Sequence, residues 1–326
     1  MKALPIFLCL LMSAQALIKG ISTFGFETEY MALMCSWANN IDWHISKIKQ
    51  LGFNTIRVPF SYDYIQRGDF QQMDEVFNRC AYHGVDIVLD YHRLHKTHQS
   101  FAPYDQEITF DQFLWSWKLL LDRYNDRGEL VAVDIWNEYQ GDNAMEWNNL
   151  SRQIVNFLEY HFPKRFVYFV GGVSWGGNLH DINLEDLSFS DRIRYTIHKY
   201  YFSDKEKYED RWEYSFHPNK TVMNVGEFGY KSDQPVQIEW IKRFISYLRK
   251  VGVRDTFFWC WSFNSGDTGG ILLEDCMTID YSKIDMLNTL WSDYGYNFVG
   301  RHLRGSSTVA PTDPPIIYGS HYAPDR

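Results

Sequence analysis

The sequence predicts an α/β fold, a (β/α)8 barrel built as one domain. Eight short strand-like runs recur along the 326-residue chain, and stretches of helical periodicity separate them. Polar residues that a core would reject gather at the C-terminal ends of those runs. A barrel of this kind commonly occupies about 250 residues or more, so the length alone requires no second domain.

In chain order, residues 1–16 read as a cleaved signal peptide. Lys2 supplies a positive start, residues 3–12 are mostly apolar, and Ala14-Gln15-Ala16 fits a small-x-small cleavage site. The apolar run is too short to span a bilayer, so a secreted, extracellular protein is expected. Strands are expected at 20–25, 55–59, 85–91, 131–137, 166–171, 193–201, 222–228 and 256–263. Most are continuous apolar runs, as parallel strands covered on both faces require. Between them, 41–51 repeats Ile41, Ile45, Ile48 and Leu51 at helical spacing, and 238–251 repeats Ile238, Ile241, Ile245 and Leu248. Gly52, Gly84 and Gly252 follow such stretches, where a left-handed cap residue is favoured. A doubly wound open sheet is the alternative, but it calls for a Gly-rich phosphate loop after the first strand, and Phe24-Gly25-Phe26-Glu27 is not one. The domain is expected to run over 17–299. Ser306, Ser307, Thr308, Pro311, Pro314, Pro315 and Pro324 make 300–326 an extended or disordered tail.

The formal charge of −9 offers no basic stripe for nucleic acid. Neither nucleic acid nor a membrane is an expected partner, and a monomer is expected. Removing residues 1–16 takes Cys9 away and leaves Cys35, Cys80, Cys260 and Cys276. An even number in an exported chain permits two disulfides, in any of three pairings, and the spacing matches no zinc motif. Asn149-Leu150-Ser151 and Asn219-Lys220-Thr221 are acceptor sequons that suit a secretory route. The chain holds 12 Trp, 22 Tyr and 23 Phe. Such numbers fit a bulky core, and they also fit a cleft whose flat rings pack on the apolar faces of sugars.

The polar residues at the strand ends decide between these uses. Arg57 follows the second run and His92 the third; Asn137 and Glu138 close the fourth. His198 and Tyr200 close the sixth, Glu227 the seventh, and Trp259 and Trp261 the eighth. Period-two geometry pairs His198 with Tyr200 and Trp259 with Trp261 on matching faces. Each has a packing explanation: an ion pair for Arg57, a hydrogen-bonded core histidine for His92, filler at the barrel mouth for Trp261. Their gathering at one barrel face favours a site, because a packed interior would otherwise bury them all.

Glu138 and Glu227 would then face each other across the barrel axis. Cleavage of a glycosidic bond needs one carboxylic acid to protonate the leaving oxygen and one carboxylate to meet the oxocarbenium-like carbon. Arg57 and the Tyr200 hydroxyl are placed to keep Glu227 ionised as nucleophile, and its charge would keep Glu138 protonated as acid. Asn137 is placed to hold the sugar 2-hydroxyl, with His92 and His198 as hydroxyl or supporting partners. A metal site is the competing use of these Glu and His residues, but its ligands would be scattered over distant strands.

These segments resemble glycoside hydrolase family 5, specifically its secreted endo-β-1,4-glucanases. The matching pieces run in order from residue 23 to about 273: Phe24-Gly25-Phe26-Glu27-Thr28, Gly52-Phe53-Asn54-Thr55-Ile56-Arg57-Val58-Pro59, Ile87-Val88-Leu89-Asp90-Tyr91-His92-Arg93, Asn137-Glu138, Trp175-Gly176-Gly177-Asn178-Leu179, His198-Lys199-Tyr200, Gly226-Glu227-Phe228-Gly229, and Trp261-Ser262-Phe263-Asn264 with Ser265-Gly266-Asp267-Thr268-Gly269-Gly270-Ile271-Leu272. The resemblance implies a (β/α)8 barrel, retention at the anomeric carbon, no cofactor, Glu138 as acid/base and Glu227 as nucleophile, acting on internal β-1,4 bonds of a glucan. It also implies Trp261 as the stacking platform beside the cleavage point, with Trp259 in packing and a swap of the two left open. Trp37 and Trp175 match aromatic positions lining neighbouring subsites. Two departures stand out: Tyr139 follows Glu138 where the family commonly has Pro, and Phe263 stands where a second Trp is common. A β-mannanase or β-1,3-glucanase would share the catalytic set. A carbohydrate-binding protein on a disabled barrel would normally lack one carboxylate, and both are present.

Overall fold

The computed structural model describes residues 17–204, 208–253, 255–263 and 265–292. The expected signal peptide, the expected tail, Cys9 and Asn264 lie outside the described residues. Eight strands form a closed barrel in sequence order: β1 (Lys19–Ser22), β2 (Thr55–Ser61), β3 (Asp86–Arg93), β4 (Leu130–Asp134), β5 (Val167–Gly171), β6 (Ile193–Tyr200), β7 (Met223–Gly229) and β8 (Thr256–Phe258). Every neighbouring pair is parallel, and β1 closes on β8 with Lys19 opposite Thr256.

The helices are α1 (Ile41–Gln50), α2 (Tyr62–Arg67), α3 (Gln71–His83), α4 (Phe110–Tyr124), α5 (Ala144–His161), α6 (Tyr201–Asp204), α7 (Tyr208–Ser215), α8 (Pro235–Val251) and α9 (Tyr281–Trp291). Their starts follow local chemistry. The Asn40 side chain accepts from the Trp43 amide at α1, and Thr109 with Gln112 forms a complete capping box at α4. Pro235 opens α8 at a position where no amide donor is needed, which starts that helix ahead of the first periodic residue, Ile238. Ile41, Ile45 and Ile48 of α1, and Ile241, Ile245 and Leu248 of α8, are buried as their spacing predicts. Gly84 and Gly252 are left-handed caps at φ 64° and 75°.

Inside the barrel, alternation along each strand stacks a polar layer on an apolar floor. Val88 and Ala132 lie opposite each other in the β3–β4 ladder, and with Phe169 and Phe257 they form the floor. Two residues further on come Asp90 and Asp134; Arg57, opposite Val88 in the β2–β3 ladder, reaches both carboxylates with its guanidinium.

Three strands stop three or more residues before their expected ends, β1 at Ser22 among them, and the last of the three has consequences for the site. β4 stops at Asp134, so Asn137 and Glu138 stand on the following turn. β8 stops at Phe258 instead of continuing to Phe263. In a regular strand, amides two residues apart bond the same neighbour. Here the Trp259 amide donates to Phe228 of β7 and the Trp261 amide to Ser22 of β1. The period-two relation between the two tryptophans is therefore broken at Cys260.

The four cysteines form one disulfide, Cys35–Cys276, and not the two their number permits. Cys80 and Cys260 are both buried and free. Cys80 belongs to the packed face of α3, whereas Cys260 lies against Tyr200 and Trp259.

Candidate active site

Seven of the predicted residues converge at the C-terminal mouth of the barrel around one guanidinium. Arg57 is fully buried; its Nε donates to Asp134 Oδ2 at 3.0 Å, Nη1 to Glu227 Oε1 at 2.5 Å and Nη2 to Asn137 Oδ1 at 2.7 Å. Asp90 Oδ1 lies 3.1 Å from Nη2. The Tyr200 hydroxyl donates to Glu227 Oε2 at 2.7 Å. Both oxygens of Glu227 are thus held by donors on β2 and β6, which fixes the carboxylate in place.

Glu138 reaches the same centre from the turn after β4. Its side chain is 17% exposed, against 5% for that of Glu227. His198 Nδ1 lies 2.9 Å from Glu138 Oε1 and 3.5 Å from Glu227 Oε2, so one imidazole touches both acids. An oxygen of Glu138 and an oxygen of Glu227 lie within 4.8 Å of each other.

The surroundings push the two acids apart. Burial raises Glu138 above the ordinary carboxylate range; the nearby His198 opposes this, and the negative charge of Glu227 adds to it. Burial also acts upward on Glu227, but the charges of His198 and Arg57, with the Tyr200 hydrogen bond, outweigh it and hold that carboxyl low. His198 is raised despite its burial, because Glu227 and Glu138 favour its cationic form.

His92 is set differently. Its Nδ1 lies 2.6 Å from Asp90, and its Nε2 is 3.3 Å from the Asn137 amide nitrogen. A ring that donates at one nitrogen and accepts at the other is neutral, in keeping with a pKa that burial drives well below the usual value. Asn137 is thereby tied at both ends, its oxygen to Arg57 and its nitrogen to His92. Asp90 and Asp134, which sequence reasoning passed over, complete the cluster. The signal for them was visible: acids inside the apolar runs 85–91 and 131–137.

The tryptophans do not sit as expected. Trp261 has no exposed surface, and its indole N–H donates to His44 Nδ1 at 3.1 Å. It presents no face to a cleft, so the expected platform at Trp261 is corrected. Trp259 retains 9% exposure and lies parallel to His92, with ring centres 5.2 Å apart. The broken register at Cys260 is the cause of the exchange. Trp175 is half exposed beside the cluster, since the carbonyl of the next residue, Gly176, accepts from the His198 amide at 3.0 Å. Trp37 is largely exposed on the loop after β1, its ring beside that of Tyr30.

Glu138, His198 and Glu227 are close enough to share a cation, as are Asp90, His92 and Glu227. In both groups Glu227 has its oxygens already engaged by Arg57 and Tyr200, and a guanidinium beside a metal would repel it. The donor set is suited to holding a carboxylate.

The cellulase model of glycosyl hydrolase family 5 matches residues 15–265. The major extracellular endoglucanase of Xanthomonas campestris pv. campestris is 28% identical, over 85% of this chain and 68% of that protein. An endoglucanase of Paenibacillus polymyxa is 27% identical, over 85% of this chain and 83% of its own length. Among solved structures, the catalytic domain of the Xanthomonas enzyme superposes with a TM-score of 0.73 at 26% identity, covering 85% of this chain and 95% of that one. An endocellulase from Pyrococcus horikoshii in complex with cellotetraose shares the fold, with a TM-score of 0.75 at 24% identity over 84% of this chain and 92% of its own.

Proposed function

Since this chain belongs to the cellulase family, glycosyl hydrolase family 5, we propose that it cleaves internal β-1,4-glucosidic bonds of glucan chains by double displacement, with Glu227 as nucleophile and Glu138 as acid/base. One observation carries the reading: two carboxylates within 4.8 Å, tuned in opposite directions by the groups around them. Retaining enzymes place the pair about 5–5.5 Å apart, whereas inverting ones leave about 6.5–9.5 Å for a water.

In the first step the Glu227 carboxylate attacks the anomeric carbon while protonated Glu138 delivers its proton to the leaving oxygen. Arg57 and Tyr200 keep Glu227 ionised and aimed. Once Glu227 carries the sugar its charge is gone, and the upward push on Glu138 falls. Glu138 then takes a proton from the incoming water, which releases the sugar with retained configuration. The Asn137 amide, steadied by Arg57 and His92, is the donor for the 2-hydroxyl. Trp259 takes the stacking role beside the cleavage point, and Trp175 and Trp37 extend the cleft.

The substrate reading is supported by relatives named endoglucanase. Secretion of a monomer is part of the proposal; the Xanthomonas relative is named as extracellular. Among the described residues no helix is long and apolar enough to cross a membrane.

Glu227→Ala should abolish turnover while oligosaccharide binding persists. Glu138→Ala should regain activity with azide on substrates with good leaving groups, giving a product of retained configuration; an inverted product would end the double-displacement reading. Digestion of carboxymethylcellulose, barley glucan, laminarin and mannan, with the products sized, separates this activity from a mannanase or β-1,3-glucanase.

A further inference from the structure

Immediately after Glu138 the chain builds a rigid aromatic support that the catalytic groups do not use. Tyr139 is buried, and its ring lies flat on Trp147 with centres 4.9 Å apart and 8° between planes. Trp147 is itself fixed, its indole N–H donating to the Gly171 carbonyl at 2.7 Å. Phe101, from the loop after β3, stands edge-on against Tyr139 at 5.9 Å. That loop is bonded to the acid's own turn, because the Gln140 amide donates to the Phe101 carbonyl at 3.1 Å and the Gln140 side chain to Ser100 at 3.2 Å. From the other side, the Trp175 amide donates to the Tyr139 carbonyl at 2.9 Å and the Ser174 amide to Gly141 at 2.8 Å. A Cβ on Gly141 would come within 2.7 Å of the Tyr139 ring, so the turn closes tightly around that side chain.

Two flat rings, Phe101 and Trp175, are thus anchored to the turn that carries Glu138, and both are about half exposed or more. An exposed ring held this firmly loses little freedom when a ligand covers it, and its face suits the C–H surface of a pyranose. The acid meets the oxygen of the departing sugar, so residues anchored to the acid's turn border that sugar and not the one over Glu227. We propose that Phe101 is a sugar-contacting residue on the leaving-group side of the cleft, and that Tyr139 is the positioning residue that holds Phe101 and Trp175 as a pair. This rests on the assignment of Glu138 as acid made above.

The test compares Phe101→Ala, Tyr139→Ala, Tyr139→Phe and the Phe101→Ala/Tyr139→Ala double variant on two substrates. Cellohexaose fills the leaving-group side with sugar; dinitrophenyl cellobioside puts no sugar there. Phe101→Ala and Tyr139→Ala should each raise KM for cellohexaose about tenfold with kcat nearly unchanged, the scale of one lost stacking contact. Hydrolysis of the aryl substrate should stay within about twofold, because binding in the nucleophile half is untouched. Tyr139→Phe, which keeps the ring, should match wild type, and the double variant should be no worse than the worse single variant. An unchanged cellohexaose KM in Phe101→Ala, a surface change that cannot unfold the barrel, overturns the proposal. So does an equal loss on both substrates in a folded Tyr139→Ala. Should wild type ignore cellohexaose yet cut another glucan, the β-1,4 reading fails by itself, and the same variants are then read on that glucan's hexamer.

Discussion

At the scale of single residues, the two tryptophans make the sharpest contrast. Trp259→Ala should lower kcat/KM by about ten- to a hundredfold in protein that still folds, since it removes the ring that lies parallel to His92 at the site. Trp261→Ala removes a fully buried ring, which costs about 3–5 kcal/mol and roughly 10 °C in Tm, while folded protein keeps its activity. Thermal melts and steady-state kinetics on both variants check this, and the reverse outcome would return the platform to Trp261. His198 touches both acids, so its charge acts on both limbs of the pH–rate profile. Nucleophile ionisation sets the acid limb and acid protonation sets the alkaline limb. His198 lowers Glu138 and Glu227 alike; in His198→Gln both limbs should therefore move to higher pH. A kcat/KM profile with unmoved limbs would show that this charge is not shared. Arg57, His92, Glu138, Tyr200 and Glu227 were legible in the sequence because each is a polar residue at the end of an apolar run. The choice between Trp259 and Trp261 was not, because alternation assumes a strand that has in fact stopped.

At the scale of elements, strand positions were legible to within a few residues, since continuous apolar runs mark parallel strands. Their ends were less so. β4 and β8 both stop early, where the chain turns to present Glu138 and Trp259, and no residue type marks that change. Disulfide pairing was equally out of reach, because Cys35 and Cys276 are 241 residues apart and meet only when the barrel closes. That bridge joins the loop after β1 to the segment before α9, and it supports the mouth indirectly. The Cys35 carbonyl is bonded to His44 Nε2 at 3.1 Å, and His44 Nδ1 accepts from Trp261. Cys35→Ser/Cys276→Ser should lose about 2–4 kcal/mol and roughly 5–15 °C in Tm, with activity at 25 °C largely kept. Adding a reductant should lower the Tm of wild type and leave the variant's unchanged; a reductant effect of equal size on both would place the redox sensitivity elsewhere.

At the scale of the whole molecule, closure of the barrel forces three buried carboxylates around one guanidinium. Asp90, Asp134 and Glu227 all lie within 3.1 Å of Arg57, and a single positive charge cannot balance three negative ones. His198, Arg57 and Tyr200 hold Glu227 low, so Asp90 and Asp134 bear the cost: burial pushes each up to about 7, with Arg57 opposing. Burial likewise pushes Glu27, enclosed behind the first strand, up to about 7. An acid whose folded pKa is raised contributes stability that is fully present below its unfolded value and is lost as pH climbs through the folded one. The window therefore runs from the ordinary carboxylate range up to about 7. His198, raised as a cation, adds to the same trend, whereas Glu227 is held low and weakens the fold only at more acidic pH. The melting temperature should thus be highest in mild acid and fall by several degrees between about pH 5 and pH 8, at roughly 2–4 °C per kcal/mol. Asp134→Asn keeps an acceptor for Arg57 but removes one of the buried acids whose pKa is raised. Its Tm should fall less over that interval. An equally steep fall in the variant would mean that the buried cluster is not the source of the pH dependence.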